Sequence, residues 1–78
     1  MTGGYKITEE ERKQLDNRFT YHAPKETQPP RYEEIRAKAK ELAEMILIDC
    51  PKSREASVAL TKLDEVVFWA NASIARGE

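Results

Sequence analysis

Two long stretches of this chain carry apolar residues at helical spacing, and only about four residues separate them. The spacing predicts helices over residues 30–49 and 54–76. Pro51 should end the first because it cannot continue a helix, and Ser53 should cap the second. So short a connection forces the two helices to pack antiparallel. The sequence therefore predicts an all-α chain built on a helical hairpin, with arms roughly 30 Å long at 1.5 Å per residue.

Each arm of the hairpin offers one apolar stripe, and the second arm has apolar residues left over. The stripes are Tyr32, Ile35, Ala39, Leu42, Ala43 and Ile46 in the first arm, and Ala56, Ala59, Leu60, Leu63, Val67, Ala70 and Ile74 in the second. At about 100° per residue, Val58, Phe68 and Trp69 lie away from the stripe. Residues 45–48 are apolar all round, which predicts burial on more than one side. A hairpin covers only one side of each helix, so we expect the N-terminal helix and further copies of the chain to cover these residues in a homo-oligomer.

The N-terminal part is predicted to hold a third, shorter helix. Residues 1–7 are predicted to form a disordered N-terminal segment. Thr8 and Glu11 then match a capping box that starts a helix over residues 8–18. Its main apolar residue is Leu15, so this helix must dock on the hairpin or stay partly mobile. Residues 8–78 are interpreted as a single helical-hairpin domain.

Composition excludes several classes of protein. With 78 residues, 40% hydrophobic and 35% charged, the chain suits one small domain whose core is marginal without assembly. It has no apolar run long enough to span a membrane and no apolar signal-peptide core. The single Cys50 cannot form an internal disulfide, which is typical of a reducing cytosol.

Catalytic and metal-binding patterns are also missing from the sequence. It has no Gly-rich phosphate loop, and no Cys or His pair has metal-ligand spacing, since His22 is the only histidine. Nothing in the sequence aligns a nucleophile with a base. We therefore expect no enzyme activity, no metal site and no cofactor.

Residues 19–36 lead from the N-terminal helix into the first turns of the hairpin. They combine aromatic, basic and proline residues. The prolines restrict this segment to few conformations. Between Arg18 and Lys40, six Lys or Arg stand against three Glu, a local charge of +3 in a chain of net charge −1. A protein that wraps long nucleic acid must neutralise many phosphates, so we expect no DNA or RNA polymer as a partner. The segment instead predicts half of a pocket for a small phosphorylated ligand that contains bases.

Three kinds of side chain in and near this segment suit such a ligand. The rings that can stack on a purine or hydrogen-bond to it are Tyr21, His22 and Tyr32. The cations that can meet phosphate are Lys25, Arg31 and Arg36. The hydroxyls along the second arm are Ser53, Ser57 and Thr61.

Structural roles remain open for several of these residues. Tyr32 also lies on the hairpin stripe, where packing explains it equally well. Phe19 and Tyr21 can instead pack against the hairpin and hold this segment on it. Lys38 and Lys40 suit a solvated charged helix face.

Five short motifs together resemble one known family. They are FTYHAPK at residues 19–25, RYEEIR at 31–36, CPKSRE at 50–55, ALTKL at 59–63 and FWANASIAR at 68–76. Over residues 19–78 the chain resembles the phage anti-CBASS cyclic-nucleotide sponges, which are related in fold to sponges that block Thoeris defence. Residues 1–18 fall outside this resemblance. It implies a phage protein in the host bacterial cytoplasm that binds cyclic dinucleotides, such as cyclic GMP–AMP, and cyclic trinucleotides without cleaving them, so that CBASS effectors receive too little signal.

The resemblance also implies a homohexamer in which the N-terminal segment of one protomer meets another protomer at each dinucleotide pocket. The family's pocket uses a tyrosine, matched by Tyr21, and a basic residue early in the long helix, matched by Arg36 or Lys38. Arg76 is the candidate for a trinucleotide site where three protomers converge. The full set of candidate ligand contacts is Phe19, Tyr21, His22, Pro24, Lys25, Arg36, Lys38, Ser57, Thr61 and Arg76.

Two other functions remain open on the sequence. One is a helical protein–protein adaptor that docks a host protein through residues 19–36, with the aromatic side chains as anchors. The other is a small nucleic-acid-binding regulator, which the acidic charge balance disfavours.

Overall fold

The computed structural model describes residues 3–78 as three helices, α1 (Glu9–Phe19), α2 (Gln28–Asp49) and α3 (Arg54–Gly77), with no strand among them. The prediction of an all-helical chain with three helices is confirmed. Of the predicted disordered N-terminal segment, Met1 and Thr2 lie outside the described residues. Residues 3–7 are exposed and form no helix or strand.

The capping box predicted at the start of α1 is confirmed. The Thr8 hydroxyl accepts a hydrogen bond from the Glu11 amide at 3.1 Å, and the Glu11 carboxylate accepts one from the Thr8 amide at 3.0 Å. Together they satisfy two amides that the first turn of a helix leaves without partners. The bonds from the Thr8 backbone and side chain also lower the pKa of the Glu11 carboxyl.

Helix α2 begins at Gln28, two residues before the predicted start. Pro29 and Pro30 both lie in its first turn, where the missing proline amides cost no hydrogen bond. The Gln28 amide donates to the Lys25 carbonyl at 2.9 Å, so a turn leads directly into the helix. At the other end the Cys50 amide donates to the Ile46 carbonyl at 3.0 Å, one residue before the proline that prevents continuation.

Helices α2 and α3 pack against each other in an antiparallel hairpin. Ser53 caps α3 as predicted, its hydroxyl accepting from the Ala56 amide at 3.1 Å. The predicted stripe of α3 is half-buried throughout, and that of α2 is half-buried except at Leu42, which is exposed. The antiparallel direction follows from contacts between the start of α2 and the end of α3, where Arg31 donates to the Glu78 carboxylate at 2.7 Å.

A polar clasp closes the open end of the hairpin. It consists of Lys25, Gln28, Arg31 and Glu78, in which the Glu78 carboxylate accepts from both the Gln28 amide group and the Arg31 guanidinium. The Lys25 ammonium donates to the Glu78 carbonyl at 2.7 Å. Three of the four residues stand in or next to the first turn of α2, so the clasp joins this turn to the end of α3.

Among the described residues, no apolar side chain is buried within the single chain. Phe68 and Trp69 are 68% and 67% exposed. The expectation that residues 45–48 are buried on more than one side is wrong for one chain, since Ile48 is 81% exposed. The molecule measures 51 × 37 × 15 Å, about one helix thick, and two helices side by side cannot enclose either of their outer faces.

No helix in the described part of the chain has the length and apolar character needed to cross a membrane.

We predict that acidification weakens the polar clasp. The hydrogen bonds from Arg31, and then that from Gln28, lower the pKa of the Glu78 carboxyl to about 2 from an ordinary 4.5. A carboxyl whose pKa is lowered on folding contributes stability that is present above its unfolded pKa and is lost as the pH falls through its folded pKa. The melting temperature of the wild-type chain, followed by circular dichroism, should therefore fall more steeply between pH 4.5 and 2 than that of Glu78→Gln.

Glu41→Gln is the control for this comparison. It removes a carboxylate from an exposed i,i+3 pair with Lys38, and such pairs contribute little to stability. Its profile should follow that of the wild type. The prediction fails if the wild-type and Glu78→Gln profiles keep a constant separation across the acidic range.

Candidate functional site

The connecting segment, as the structure defines it, is residues 20–27 between α1 and α2. A groove lies where this segment, the start of α2 and the end of α3 meet. We call it the basic groove. Its volume is about 410 Å³, within the range of small-molecule sites. It is lined by Arg18, Thr20, Tyr21, His22, Tyr32, Arg36, Asn71, Ala72, Ala75 and Arg76. It is open to solvent on one side.

Three arginines make this groove positive. Arg18 comes from the last turn of α1, Arg36 from the first half of α2 and Arg76 from the last turn of α3. No acidic side chain is among the described residues that line it. A chain with a net charge of −1 therefore gathers cationic groups from three separate helices at one place, as recognition of an anion requires.

Planar side chains stand beside these arginines. Tyr21 is 83% exposed in the connecting segment, whereas His22 and Tyr32 are half-buried. An exposed ring next to guanidinium groups can stack on a base while the arginines meet phosphate. Tyr32 and Arg36 are four residues apart on α2, so they lie on the same face of that helix.

Hydrogen bonds fix the end of α1 and the start of the connecting segment against α3. His22 Nε2 lies 2.7 Å from the Asn17 carbonyl, so this nitrogen carries the proton and donates. The Asn17 side chain donates to the Arg76 carbonyl at 3.2 Å, and the Arg76 guanidinium donates to the Arg18 carbonyl at 3.3 Å. Arg76 thus both lines the groove and holds α1 in place.

The structure brings four of the ten candidate ligand contacts together in the basic groove, namely Tyr21, His22, Arg36 and Arg76. Lys38, the alternative to Arg36, instead lines a different, largely apolar surface depression and pairs with Glu41 at 3.5 Å. Ser57 and Thr61 are exposed on α3. Thr61 is ten residues before Asn71, roughly 15 Å along the helix from the groove.

The remaining candidates lie around the groove without lining it. Phe19 is exposed at the end of α1, with the Arg18 guanidinium 5.5 Å from its ring centroid. Pro24 is exposed in the connecting segment, and Lys25 belongs to the polar clasp. The described residues contain no group of His, Cys, Asp and Glu arranged to hold a metal ion.

Sequence reasoning did not assign Arg18, Thr20 or Asn71 to the site. Asn71 is half-buried in the groove, and its side-chain oxygen is buried without a hydrogen-bond partner in the chain. The sequence did offer one signal for this part of the site, namely helical spacing. Asn71 and Ala75 are four residues apart, as are Ala72 and Arg76, so the members of each pair share a face of α3. Nothing local shows that this face of α3 meets the connecting segment, which lies about 50 residues earlier in the chain.

The chain matches the family model described as "Acb2/Tad1, hairpin domain" over residues 11–75. The match contains most of α1, all of α2 and nearly all of α3. It also includes residues 11–18, which the resemblance found from sequence motifs had left out. Neither the curated proteins nor the solved structures gave a match.

We predict that Asn17→Ala loosens α1 on the hairpin. This variant removes the side-chain bond to the Arg76 carbonyl, and a single bond of this kind contributes about 0.5–1.5 kcal/mol. Amide hydrogen exchange in the last turns of α1 should therefore rise about two- to tenfold. Asp16→Ala, at an exposed neighbouring position, should leave the exchange unchanged. Equal exchange in both variants would mean that this bond does not hold the helix.

Proposed function

This chain belongs to the Acb2/Tad1 hairpin-domain family, and from that membership we propose that it captures cyclic dinucleotide second messengers and holds them without cleavage. At the level of the family, membership supports a sponge-type role against bacterial defence and the binding of cyclic-nucleotide signals rather than catalysis. In the proposed form, a phage-encoded chain acts in the cytoplasm of the infected bacterium and keeps CBASS effectors from being activated.

The observation that carries this proposal is the convergence of arginines and planar rings in the basic groove. A cyclic dinucleotide carries two phosphates and two bases on one compact ring. Arg18, Arg36 and Arg76 supply more cationic groups than two phosphates need, and guanidinium groups can bind phosphate oxygens in pairs. Tyr21 and His22 supply flat faces for a base. The groove therefore matches both chemical parts of the ligand.

Retention of the ligand also fits the groups in the groove. Its polar lining consists of arginines, an amide, hydroxyls and one imidazole. His22 donates from Nε2 to the Asn17 carbonyl, which fixes the orientation of its ring beside the groove. Such a set of groups can bind phosphate and stack on bases, and sequestration needs nothing further.

We further propose that a second copy of the chain completes the site. Residues 8–78 would act as one helical unit, too thin to bury its own apolar side chains. Phe68 and Trp69 are well placed to pack between copies, since each is about two-thirds exposed on α3. The basic groove is open on one side, where another protomer would close over the ligand. The hexamer implied by the sequence resemblance is the assembly we expect.

The position of the two candidate cations favours Arg36 over Lys38 as the phosphate contact. Arg36 lines the basic groove, whereas Lys38 lines another depression and pairs with Glu41. Arg76 also borders a second depression with Asn17 and Trp69. It therefore stays our candidate for a cyclic trinucleotide contact.

Titration calorimetry with cyclic GMP–AMP and related cyclic oligonucleotides tests the proposal, with chromatography of the recovered ligand. Loss of the Tyr21 ring should weaken binding by about 1–3 kcal/mol, as for a base stacked on an aromatic side chain. Arg36→Ala should weaken it by about 1.5–3 kcal/mol, or roughly ten- to a hundredfold, because a charge-assisted bond to phosphate is lost. Lys38→Ala should change affinity much less than Arg36→Ala.

Arg54→Ala is the matched arginine control, because Arg54 starts α3 at the opposite end of the hairpin. Its affinity should equal that of the wild type. Failure of the wild-type chain to bind any cyclic oligonucleotide would overturn the sponge function and favour the adaptor function. Recovery of linearised ligand would show an enzyme instead.

We predict that the wild-type chain is oligomeric in light scattering coupled to size-exclusion chromatography, and that Trp69→Ala lowers its mass. Burial of such a side chain contributes roughly 1.5–3 kcal/mol in each copy, so its loss is multiplied across the assembly. Tyr5→Ala removes an aromatic ring that is 99% exposed outside the helices and should leave the mass unchanged. An unchanged mass for Trp69→Ala would show that this face is not the interface.

A further inference from the structure

Gln28 is the one residue that is nearly inaccessible in the described part of the chain, at 2% exposed. It is polar, and it stands at the first position of α2, where side chains usually meet water. Burial of an amide is unfavourable unless its donors and acceptor find partners. A buried glutamine, where none of the apolar side chains of residues 3–78 is buried, therefore requires a specific explanation.

The Gln28 side chain connects three parts of the chain. Its oxygen accepts from the Lys25 amide at 3.1 Å, which fixes the connecting segment. Its nitrogen donates to the Ile74 carbonyl at 3.4 Å and to the Glu78 carboxylate at 3.2 Å, which fixes the end of α3. Both ends of the side-chain amide are thus satisfied, and none of these three bonds is to another residue of α2.

The rest of the polar clasp reinforces the same connection. Arg31 donates to the Glu78 carboxylate at 2.7 Å and to the Thr27 carbonyl at 3.1 Å. The Lys25 ammonium donates to the Glu78 carbonyl. The segment from Lys25 to Gln28 is therefore held by backbone and side-chain bonds from both long helices.

The parts that Gln28 joins are the ones that carry the basic groove. Tyr21 and His22 stand on the same connecting segment, a few residues before Lys25. Tyr32 follows Gln28 by one turn of α2, and Arg76 precedes Glu78 by two residues on α3. Gln28 itself does not line the groove, so it can influence a ligand only through these neighbours.

We infer that Gln28 is a positioning residue for the basic groove, which it sets up by fixing the connecting segment against α3 before the ligand arrives. This inference rests on the proposed function. A segment that must be ordered at binding opposes association through lost conformational entropy, and a segment that is already ordered does not. Gln28 would thus raise affinity without touching the ligand.

The test compares Gln28→Met with the wild-type chain. Methionine has a similar length and shape, so it keeps the space filled. It cannot form the hydrogen bonds of the Gln28 side-chain amide, so the connections to Lys25, Ile74 and Glu78 are lost. We expect affinity for cyclic GMP–AMP to fall about tenfold, as several residues become disordered in the free chain. Amide hydrogen exchange over residues 20–27 of the free protein should rise in parallel.

A charge swap tests whether the contact between residues 28 and 78 carries the effect on binding. Gln28→Glu alone places a second carboxylate beside Glu78, so it should weaken binding. Combining it with Glu78→Gln restores one donor–acceptor contact between positions 28 and 78 with no change in net charge, but not the bond to the Ile74 carbonyl, so the double variant should bind more tightly than Gln28→Glu and less tightly than the wild type. If the double variant bound no better than Gln28→Glu, the contact between positions 28 and 78 would not set up the groove.

Ala59→Gly is the stability control, because it weakens α3 far from the groove. Its affinity, measured well below its melting temperature, should match that of the wild type. Wild-type affinity in Gln28→Met, or an equal loss in Ala59→Gly, overturns the positioning role alone. A wild-type chain that binds no cyclic oligonucleotide overturns the proposed function, and the positioning role with it.

Discussion

Two helices lying side by side cannot enclose their own outer faces, and most of this molecule follows from that geometric constraint. The hairpin is 15 Å thick, and its facing stripes are only half-buried. The hydrophobic effect therefore sets the register of α2 on α3 but leaves Phe68, Trp69 and the apolar turn near Ile48 in water. This is the surface that we propose further copies of the chain cover.

Where apolar burial is weak, hydrogen bonds fix the remaining geometry. The long-range hydrogen bonds that position α1 and the connecting segment join residues 46 to 59 positions apart, and they end near the last turn of α3. They include a buried amide, which is costly to leave unpaired and therefore tolerates few alternative arrangements. Polar bonds thus specify where the groove residues stand, while the apolar stripes specify that the hairpin forms.

Apolar stripes that form the hairpin can be predicted from the sequence, whereas the long-range polar bonds that position the groove residues cannot. Spacings of three and four residues determine the caps at Thr8 and Ser53 and the half-buried stripe of α3. These features can therefore be predicted from short stretches of sequence. The start of α2 at Gln28 was missed because prolines suit more than one position in a first turn. The convergence of Arg18, Asn71 and Arg76 depends on contacts between distant residues, for which a single sequence has no pattern.

The open groove and the exposed α3 face both follow from the thin fold, and in the proposed assembly they would link ligand capture to oligomerisation. If one protomer closes over the groove of another, the ligand binds the assembled state more strongly than the single chain. Thermodynamic linkage then requires the ligand to strengthen assembly by the same free energy by which assembly strengthens binding. In the proposed assembly a chain of this size would gain twice, because the contacts that supply its missing core would also supply the second wall of its site.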